Sequence, residues 1–317
     1  MKLTVVYSSD DAYAQHAGVS MTSLFEHHRR AESIHAYMIS NGISPGNRSR
    51  LEAVCAAYGR RLTFVDFETL APKLRLNIGG SISASSYARL FIAGIVGPDE
   101  ERALYLDCDT IVTGNLEALW KMDLGDACIA GVRDTVGART KREIGIGEDD
   151  LYVNAGVLLI DVRKWRERGV EAKFLRFIDE RGGRVYHHDQ GAINGVLHGE
   201  CMPLPPKYNA MSILFSMRRE ELLAYYGMEG YYDEAELDEA IASPAVLHYT
   251  PAFVGRPWVR GCKHPYRRAY LASLDKSPWR GAPPQADRRS AAERGVAAMY
   301  AYFPFRVANT IRRAVFK

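Results

Sequence analysis

LTVVYSSDD, residues 3–11, opens on a short β-branched apolar run and closes on Ser8, Ser9, Asp10 and Asp11. Such a run without alternation reads as a strand buried on both faces, and its polar end places functional groups at the strand's carboxyl terminus. Behind it Ala17, Met21, Leu24 and Phe25 recur at i, i+4, i+7 and i+8, one apolar face of a 3.6-residue period. HAYMIS (35–40) supplies the next strand. Ser44 and Pro45 then stand as N-cap and first helical residue ahead of Leu51, Val54, Cys55 and Tyr58 on one helix face. RLTFVDF (61–67) reads as a further strand, and the order continues through SYARLFIAGIV (86–96), ALYLDCDTIV (103–112), ACIAGV (127–132) and NAGVLLIDVRKW (154–165). This order predicts an α/β fold, with helices packed on a mostly parallel sheet. Ligands of such sheets sit beyond the carboxyl ends of the strands, where Asp10, Asp107 and Asp109 fall in this reading. Residues 203–284 are less periodic and rich in Tyr, Pro and Gly, as expected of loops and short helices that cap the sheet. Pro283 and Pro284 mark the end of a domain over 1–282 and the start of a tail over 283–317.

The 317 residues are 47% apolar and 25% charged, enough to bury the core of a folded, enzyme-sized unit. A net charge of +3 is too small for a nucleic acid partner. The charge is concentrated from Arg288 to the end, where Arg288, Arg289, Arg294, Arg306, Arg312, Arg313 and Lys317 face Glu293 alone. Five widely spaced cysteines, without a CxxC pair, read as reduced thiols of a cytoplasmic protein. The amino terminus lacks the long apolar region of a signal peptide, and no stretch is apolar enough to span a bilayer.

Chemistry concentrates in Leu104–Val112, where Asp107 and Asp109 are set one residue apart in an apolar strand. Alternation would turn both carboxylates to one side, and two like charges there are costly unless a cation neutralises them. A divalent metal is the economical explanation, with Cys108 facing the core. DxD alone is weak; its strand context raises its value.

Beyond that motif, SSDDAY (8–13), SSYARLFI (85–92), ALYLDCDTIV (103–112), YVNAGVLLIDVRKWR (152–166), HHDQGAIN (187–194), VLHYT (246–250), RPW (256–258) and CKHPYR (262–267) occur in that order. Together they resemble glycosyltransferase family 8, retaining enzymes of GT-A fold that include bacterial lipooligosaccharide galactosyltransferases, glucosyltransferases and the glycogenins. The resemblance runs from about Leu3 to Tyr270. It implies a GT-A, Rossmann-like sheet flanked by helices, and transfer of a hexose from a UDP-sugar to a saccharide acceptor. Asp107, Asp109 and His248 would bind Mn2+, with Mg2+ as the alternative; a nitrogen ligand beside carboxylates suits Mn2+ better. Asp10, Ala12 and Tyr13 match positions at the uracil and ribose, although the family often has Asn where Ala12 stands. Arg89, Asn154, Ala155 and Asp189 would contact the donor, and Gln190 would sit beneath the anomeric carbon. An Asp at the start of a helix is otherwise a good N-cap, which is the alternative for Asp189. Arg256 stands where most members carry Lys, and an Arg fork differs from a Lys point charge as a partner for the diphosphate. Lys263 is the reserve candidate.

The tail mixes arginines with Tyr300, Tyr302, Phe303, Phe305 and Phe316, and Pro304 should break any long helix there. By resemblance it would hold the protein at the inner face of the cytoplasmic membrane near a lipid-linked acceptor; a helix packed back on the domain is the alternative. Rival readings are an inverting glycosyltransferase, a sugar nucleotidyltransferase and a non-catalytic sugar-nucleotide scaffold. The nucleotidyltransferase would need a Gly-rich basic loop after the first strand, where SSDDAYAQ is acidic.

Overall fold

The computed structural model describes residues 1–69 and 84–315. Its strands are β1 (Lys2–Asp10), β2 (Ser33–Asn41), β3 (Arg61–Asp66), β4 (Arg102–Leu106), β5 (Thr110–Val112), β6 (Ile129–Arg133), β7 (Val153–Asp161), β8 (Cys201–Pro203), β9 (Ala210–Met211) and β10 (Val246–His248). Between them lie α1 (Ala14–His27), α2 (Pro45–Ala57), α3 (Ile92–Ile95), α4 (Glu117–Trp120), α5 (Ala138–Ile144), α6 (Val162–Glu167), α7 (Val170–Asp179), α8 (His188–Leu197), α9 (Arg219–Tyr226) and α10 (Glu234–Ala242). After β10 come α11 (Arg267–Asp275), α12 (Ala291–Tyr302) and α13 (Phe305–Val315).

The central sheet runs β3-β2-β1-β4-β7-β6-β8. It is mostly parallel, as the strand and helix order predicts, with β7 antiparallel to both of its neighbours. Alternation distributes the core over both faces: Val5 and Tyr7 join one apolar cluster with Met21, Leu24 and Phe25 of α1, while Val6 joins the other with Tyr105, Trp165 and Phe174. Ser44 caps α2 by accepting from the Asn47 amide at 3.4 Å, with Pro45 in the first turn.

Because β7 runs against β4, its amino-terminal end meets the carboxyl end of β4, with Leu106 opposite Val157. β6 ends on the same edge at Arg133. Asn154, Asp134 and Asp107 are thereby gathered at one rim of the sheet.

Three expectations change in detail. The DxD stretch is not one strand: β4 stops at Leu106, Asp107 to Asp109 form a turn, and β5 pairs in a separate sheet of order β5-β10-β9. The turn is closed by the Thr110 amide and hydroxyl, both donating to the Asp107 carbonyl at 3.2 and 2.7 Å. Second, the stretch from Ala84 to Phe91 is a 3-10 helix running into α3. Third, residues 203–284 contribute strands β9 and β10 as well as loops and short helices.

In the tail α12 ends at Tyr302 and α13 starts at Phe305, so the break falls at Pro304 as expected. α12 packs back on the body through Tyr300, which stacks on Phe253 with centroids 4.8 Å apart. Phe316 and Lys317 lie outside the described residues.

Candidate active site

Asp107 and Asp109 leave their turn on the same side as His248, which β10 delivers by pairing antiparallel with β5, His248 opposite Thr110. One ligand atom from each of these residues lies within 4.8 Å of the others. His248 Nε2 is 3.2 Å from Asp109 Oδ1 and 3.8 Å from Asp107 Oδ2. The shared side that alternation along a strand predicts is therefore produced by a turn. Cys108 does face inward, its thiol donating to the Ser8 carbonyl at 3.1 Å.

The donor set fits a divalent ion on two structural grounds. His248 Nδ1 is engaged by Asn209 Oδ1 at 2.9 Å, which leaves Nε2 for the carboxylate side, the usual outer support of a ligating histidine. Gly156 has no side chain, and a Cβ there would lie 2.2 Å from His248 Cε1 and 2.8 Å from Asp107 Oδ2. The close approach that a glycine permits here is made by two candidate ligands.

Charge in the cluster is balanced within the protein. Burial opposes ionisation of Asp109, but His248 and Arg256 outweigh it and hold the carboxyl below its ordinary range. Burial likewise opposes protonation of His248, and Asp109 and Asp107 overcome it and raise the imidazole.

Arg89 occupies the space between the Asp107, Asp109 and His248 cluster and α8. Its Nη2 is 2.9 Å from Asp107 Oδ1, its Nη1 donates to the Ala155 carbonyl at 2.8 Å, and its guanidinium lies 4.4 Å from the Tyr105 ring centroid. Nε approaches Asp189 Oδ2 to 2.6 Å but is not aligned for a hydrogen bond, so that contact is an ion pair. Asp189 is not the N-cap of α8. His187 takes that position, and Asp189, one residue inside the helix, turns to Arg89.

Gln190 is held at both ends of its amide. Oε1 accepts from the Ala155 amide at 3.0 Å, and Nε2 donates to Asp134 Oδ2 at 2.8 Å and to the Tyr152 hydroxyl at 3.3 Å. Asp134 Oδ2 also accepts from Asn154 Nδ2 at 3.2 Å, while Asn154 Oδ1 accepts from Asn209 Nδ2 at 2.9 Å. A continuous chain of side-chain hydrogen bonds thus runs from His248 through Asn209, Asn154 and Asp134 to Gln190. Asp134, Tyr152 and Asn209 were not singled out from the sequence; the only signals were that Asp134 follows the ACIAGV strand and that Tyr152 opens the YVNAGV motif.

At the other flank, Asp10 Oδ1 accepts from the Tyr13 amide at 2.9 Å and so shapes the turn that presents Tyr13; Ala12 is exposed within that turn. Arg256 Nη1 donates to the Tyr13 hydroxyl at 2.6 Å, and Nη2 lies 3.3 Å from Asp109 Oδ2. Lys263 instead points at the tail, its Nζ 5.4 Å from the Tyr302 ring centroid. The structure therefore brings Arg256, rather than Lys263, to the carboxylates.

A cluster of two aspartates and a histidine at the carboxyl edge of an α/β sheet is compatible with metal-assisted group transfer. The family model described as "Glycosyl transferase family 8" matches residues 4–262. The chain belongs to glycosyltransferase family 8. It is 27% identical over 279 residues to "General stress protein A" of Bacillus subtilis, covering 87% of this chain and 94% of the relative. It is also 27% identical over 287 residues to the "Lipopolysaccharide 1,2-glucosyltransferase" of Escherichia coli, covering 89% and 80%. The solved galactosyltransferase LgtC, in complex with donor and acceptor sugar analogs, superposes with a TM-score of 0.71 at 27% identity, covering 87% of this chain and 96% of LgtC. A GT-A fold and a glycosyltransferase are the resulting assignments.

In this family 8 chain Asn209→Ala should weaken Mn2+ binding about 10- to 100-fold, the usual effect of removing an outer support of a ligating histidine. Calorimetric titration with Mn2+ measures it. An unchanged affinity would show that Asn209 does not orient His248.

Proposed function

We propose that the protein is a retaining hexosyltransferase that moves glucose or galactose from a UDP-sugar to a lipooligosaccharide or other cell-surface glycan, with Mn2+ as its ion and Mg2+ as the alternative. The observation that carries this reading is the hydrogen-bond chain, buried at its His248 end and half-buried at Asp134 and Gln190, that joins the Asp107, Asp109 and His248 cluster to Gln190. The names of the Escherichia coli glucosyltransferase and of the LgtC complex support the sugar and acceptor classes.

In this reading Asp10, Ala12 and Tyr13 receive the nucleoside, and Arg256 the diphosphate. Arg89, Asn154, Ala155 and Asp189 receive the donor sugar. A divalent ion held by Asp107, Asp109 and His248 would supply Lewis-acid neutralisation of the leaving diphosphate. An amide is a poor nucleophile, and Gln190 is fixed through both Oε1 and Nε2. A front-face substitution suits it better. The acceptor oxygen bonds to the anomeric carbon on the side from which the sugar–phosphate bond breaks, its proton passes to the departing diphosphate, and Gln190 Oε1 faces the cationic carbon. Configuration is retained.

The test is release of UDP from a panel of UDP-sugars with and without Mn2+, followed by NMR of the product linkage. UDP-glucose or UDP-galactose should give Mn2+-stimulated release and a retained anomer. No stimulation with any sugar, or an inverted anomer, would overturn the reading.

The same proposal extends to peripheral membrane attachment by the tail. Val307, Ile311 and Val315 recur at four-residue spacing on α13 and are exposed, as are Tyr302 and Phe303 at the bend. Arg306, Arg312 and Arg313 accompany them, a combination suited to an anionic lipid surface. Among the described residues no helix is long and apolar enough to cross a membrane. Ile311→Ser with Val315→Ser should weaken binding to phosphatidylglycerol vesicles, read by co-sedimentation, about a hundredfold or more, given ~1.5–3 kcal/mol for each fully buried aliphatic side chain. Binding indifferent to both substitutions and to salt would remove the tail from this role.

A further inference from the structure

The loop over 250–263 carries Arg256, and residues assigned by sequence to a separate tail grip that loop at several points. Gln285 forms a parallel bridge with Val259, its amide donating to the Trp258 carbonyl at 2.8 Å and its carbonyl accepting from the Arg260 amide at 2.9 Å. At the other end of the loop the Tyr300 ring lies flat on Phe253, the planes inclined by 16°. Arg289, ion-paired with Asp287, donates to the Phe253 carbonyl at 3.5 Å. Arg256 sits between these two holds. From the body, Trp258 is stacked on His16 of α1 at 4.0 Å, and Arg256 Nε donates to the Tyr249 carbonyl at 3.2 Å.

A guanidinium on a surface loop must be held still if it is to meet a diphosphate without a large entropic cost on binding. Within the loop, hydrogen bonds from the Gly255 amide to the Ala252 carbonyl and from the Lys263 amide to the Val254 carbonyl close its turns, but neither anchors it to another element. Anchoring on the Phe253 side comes from Tyr300 of α12, from Arg289 and from Tyr225 of α9, whose ring is edge-on to Phe253 at 5.8 Å, and on the Trp258 side from Gln285, from α1 and from Arg267 of α11, which donates to the Pro257 carbonyl at 3.2 Å. Tyr300 is itself fixed, its ring edge-on to Tyr225 of α9 at 5.5 Å and its hydroxyl donating to Asn309 Oδ1 of α13 at 3.2 Å.

We propose that the segment from Gln285 to Tyr300 is a strap that positions the Arg256 loop for the donor diphosphate, with Tyr300 as a positioning residue. The inference rests on the assignment of Arg256 to the diphosphate made above. The tail then belongs to the donor site as well as to the surface of the molecule, and whatever the exposed face of α13 meets is joined to the nucleotide pocket through Tyr300.

The experiment is a double-mutant cycle on the full-length chain, with UDP binding in the presence of Mn2+ read by calorimetry in Tyr300→Ala, Tyr300→Phe, Arg256→Ala and Tyr300→Ala with Arg256→Ala. Tyr300→Ala should weaken UDP binding about three- to tenfold, the range that an aromatic stack contributes. Tyr300→Phe, which keeps the ring, should stay close to the parent. In the Arg256→Ala background the Tyr300→Ala change should add nothing further. Hydrogen exchange at the Gly255 and Lys263 amides should quicken in Tyr300→Ala with no nucleotide present.

Two results overturn the strap alone: UDP binding unchanged in Tyr300→Ala while Arg256→Ala weakens it, or an equal loss from Tyr300→Ala with and without Arg256. Unchanged UDP binding in Arg256→Ala overturns the diphosphate assignment and the strap with it. Should Tyr300→Ala unfold, Phe253→Leu removes the same stack from the loop side, and the same outcomes apply.

Discussion

Asp109→Ala is expected to lower turnover about a thousandfold, while Mn2+ binding becomes undetectable by calorimetry at millimolar metal. Asp109 joins two kinds of contact, with His248 Nε2 at 3.2 Å and Arg256 Nη2 at 3.3 Å. Removing it leaves Asp107 and His248 as candidate ligands, 3.8 Å apart, and frees Arg256 from the cluster. If the ion contributes ~4 kcal/mol of stabilisation to the leaving diphosphate, its loss costs about three decades at ~1.4 kcal/mol per decade. Asp109→Asn separates shape from charge, since it preserves the volume and one acceptor while removing the anion; it should lose nearly as much turnover as the alanine variant. Parent-like turnover in either variant would end the assignment of this aspartate to the reaction.

The architecture was legible where apolar patterning is continuous and local. The run from Leu3 to Tyr7, the face made by Ala17, Met21, Leu24 and Phe25, and the Ser44 cap are decided within a few residues, and each is found where the pattern places it. Strand direction was not legible in the same way. Val153–Asp161 is buried almost throughout, and a continuous apolar run is the same read in either sense, so the antiparallel placement of β7 follows only from its neighbours. The DxD residues stood out by spacing, but the turn that joins them depends on β5 leaving the main sheet to pair with β10, more than 130 residues away in sequence. Asn209 and Asp134 carry no periodic or spacing signal. Their importance arises from the requirement that polar groups in a buried site find partners, which depends on which elements meet at the rim. Arg89 entered the candidate site by resemblance alone, and the structure adds that its charge is set against two carboxylates of the protein itself.

Arg89→Met should be among the most destabilising substitutions in the chain, about 3–5 kcal/mol, because it strands two carboxylates whose shared counter-charge is gone. Asp107 and Asp189 both lose their partner, and the Ala155 carbonyl loses a donor. The pH dependence distinguishes this cause from simple loss of packing. Burial already pushes the Asp189 carboxyl above its ordinary value of 3.8, and the Arg89 charge acts in the opposite direction. Without Arg89 the carboxyl rises further. A carboxyl raised on folding binds protons more readily in the native chain than in the unfolded one, so native stability gains as pH falls through the raised value and ceases to gain below the unfolded value. The deficit of Arg89→Met relative to the parent should therefore be greatest near pH 7 and narrow as the pH falls towards 4, as urea denaturation at successive pH values would measure. Arg89→Lys should lie between the two, since one ammonium cannot meet both carboxylates and the carbonyl with the geometry of a guanidinium fork. A deficit that stays constant over this range would assign the loss to packing against Tyr105 instead of to the unpaired carboxylates.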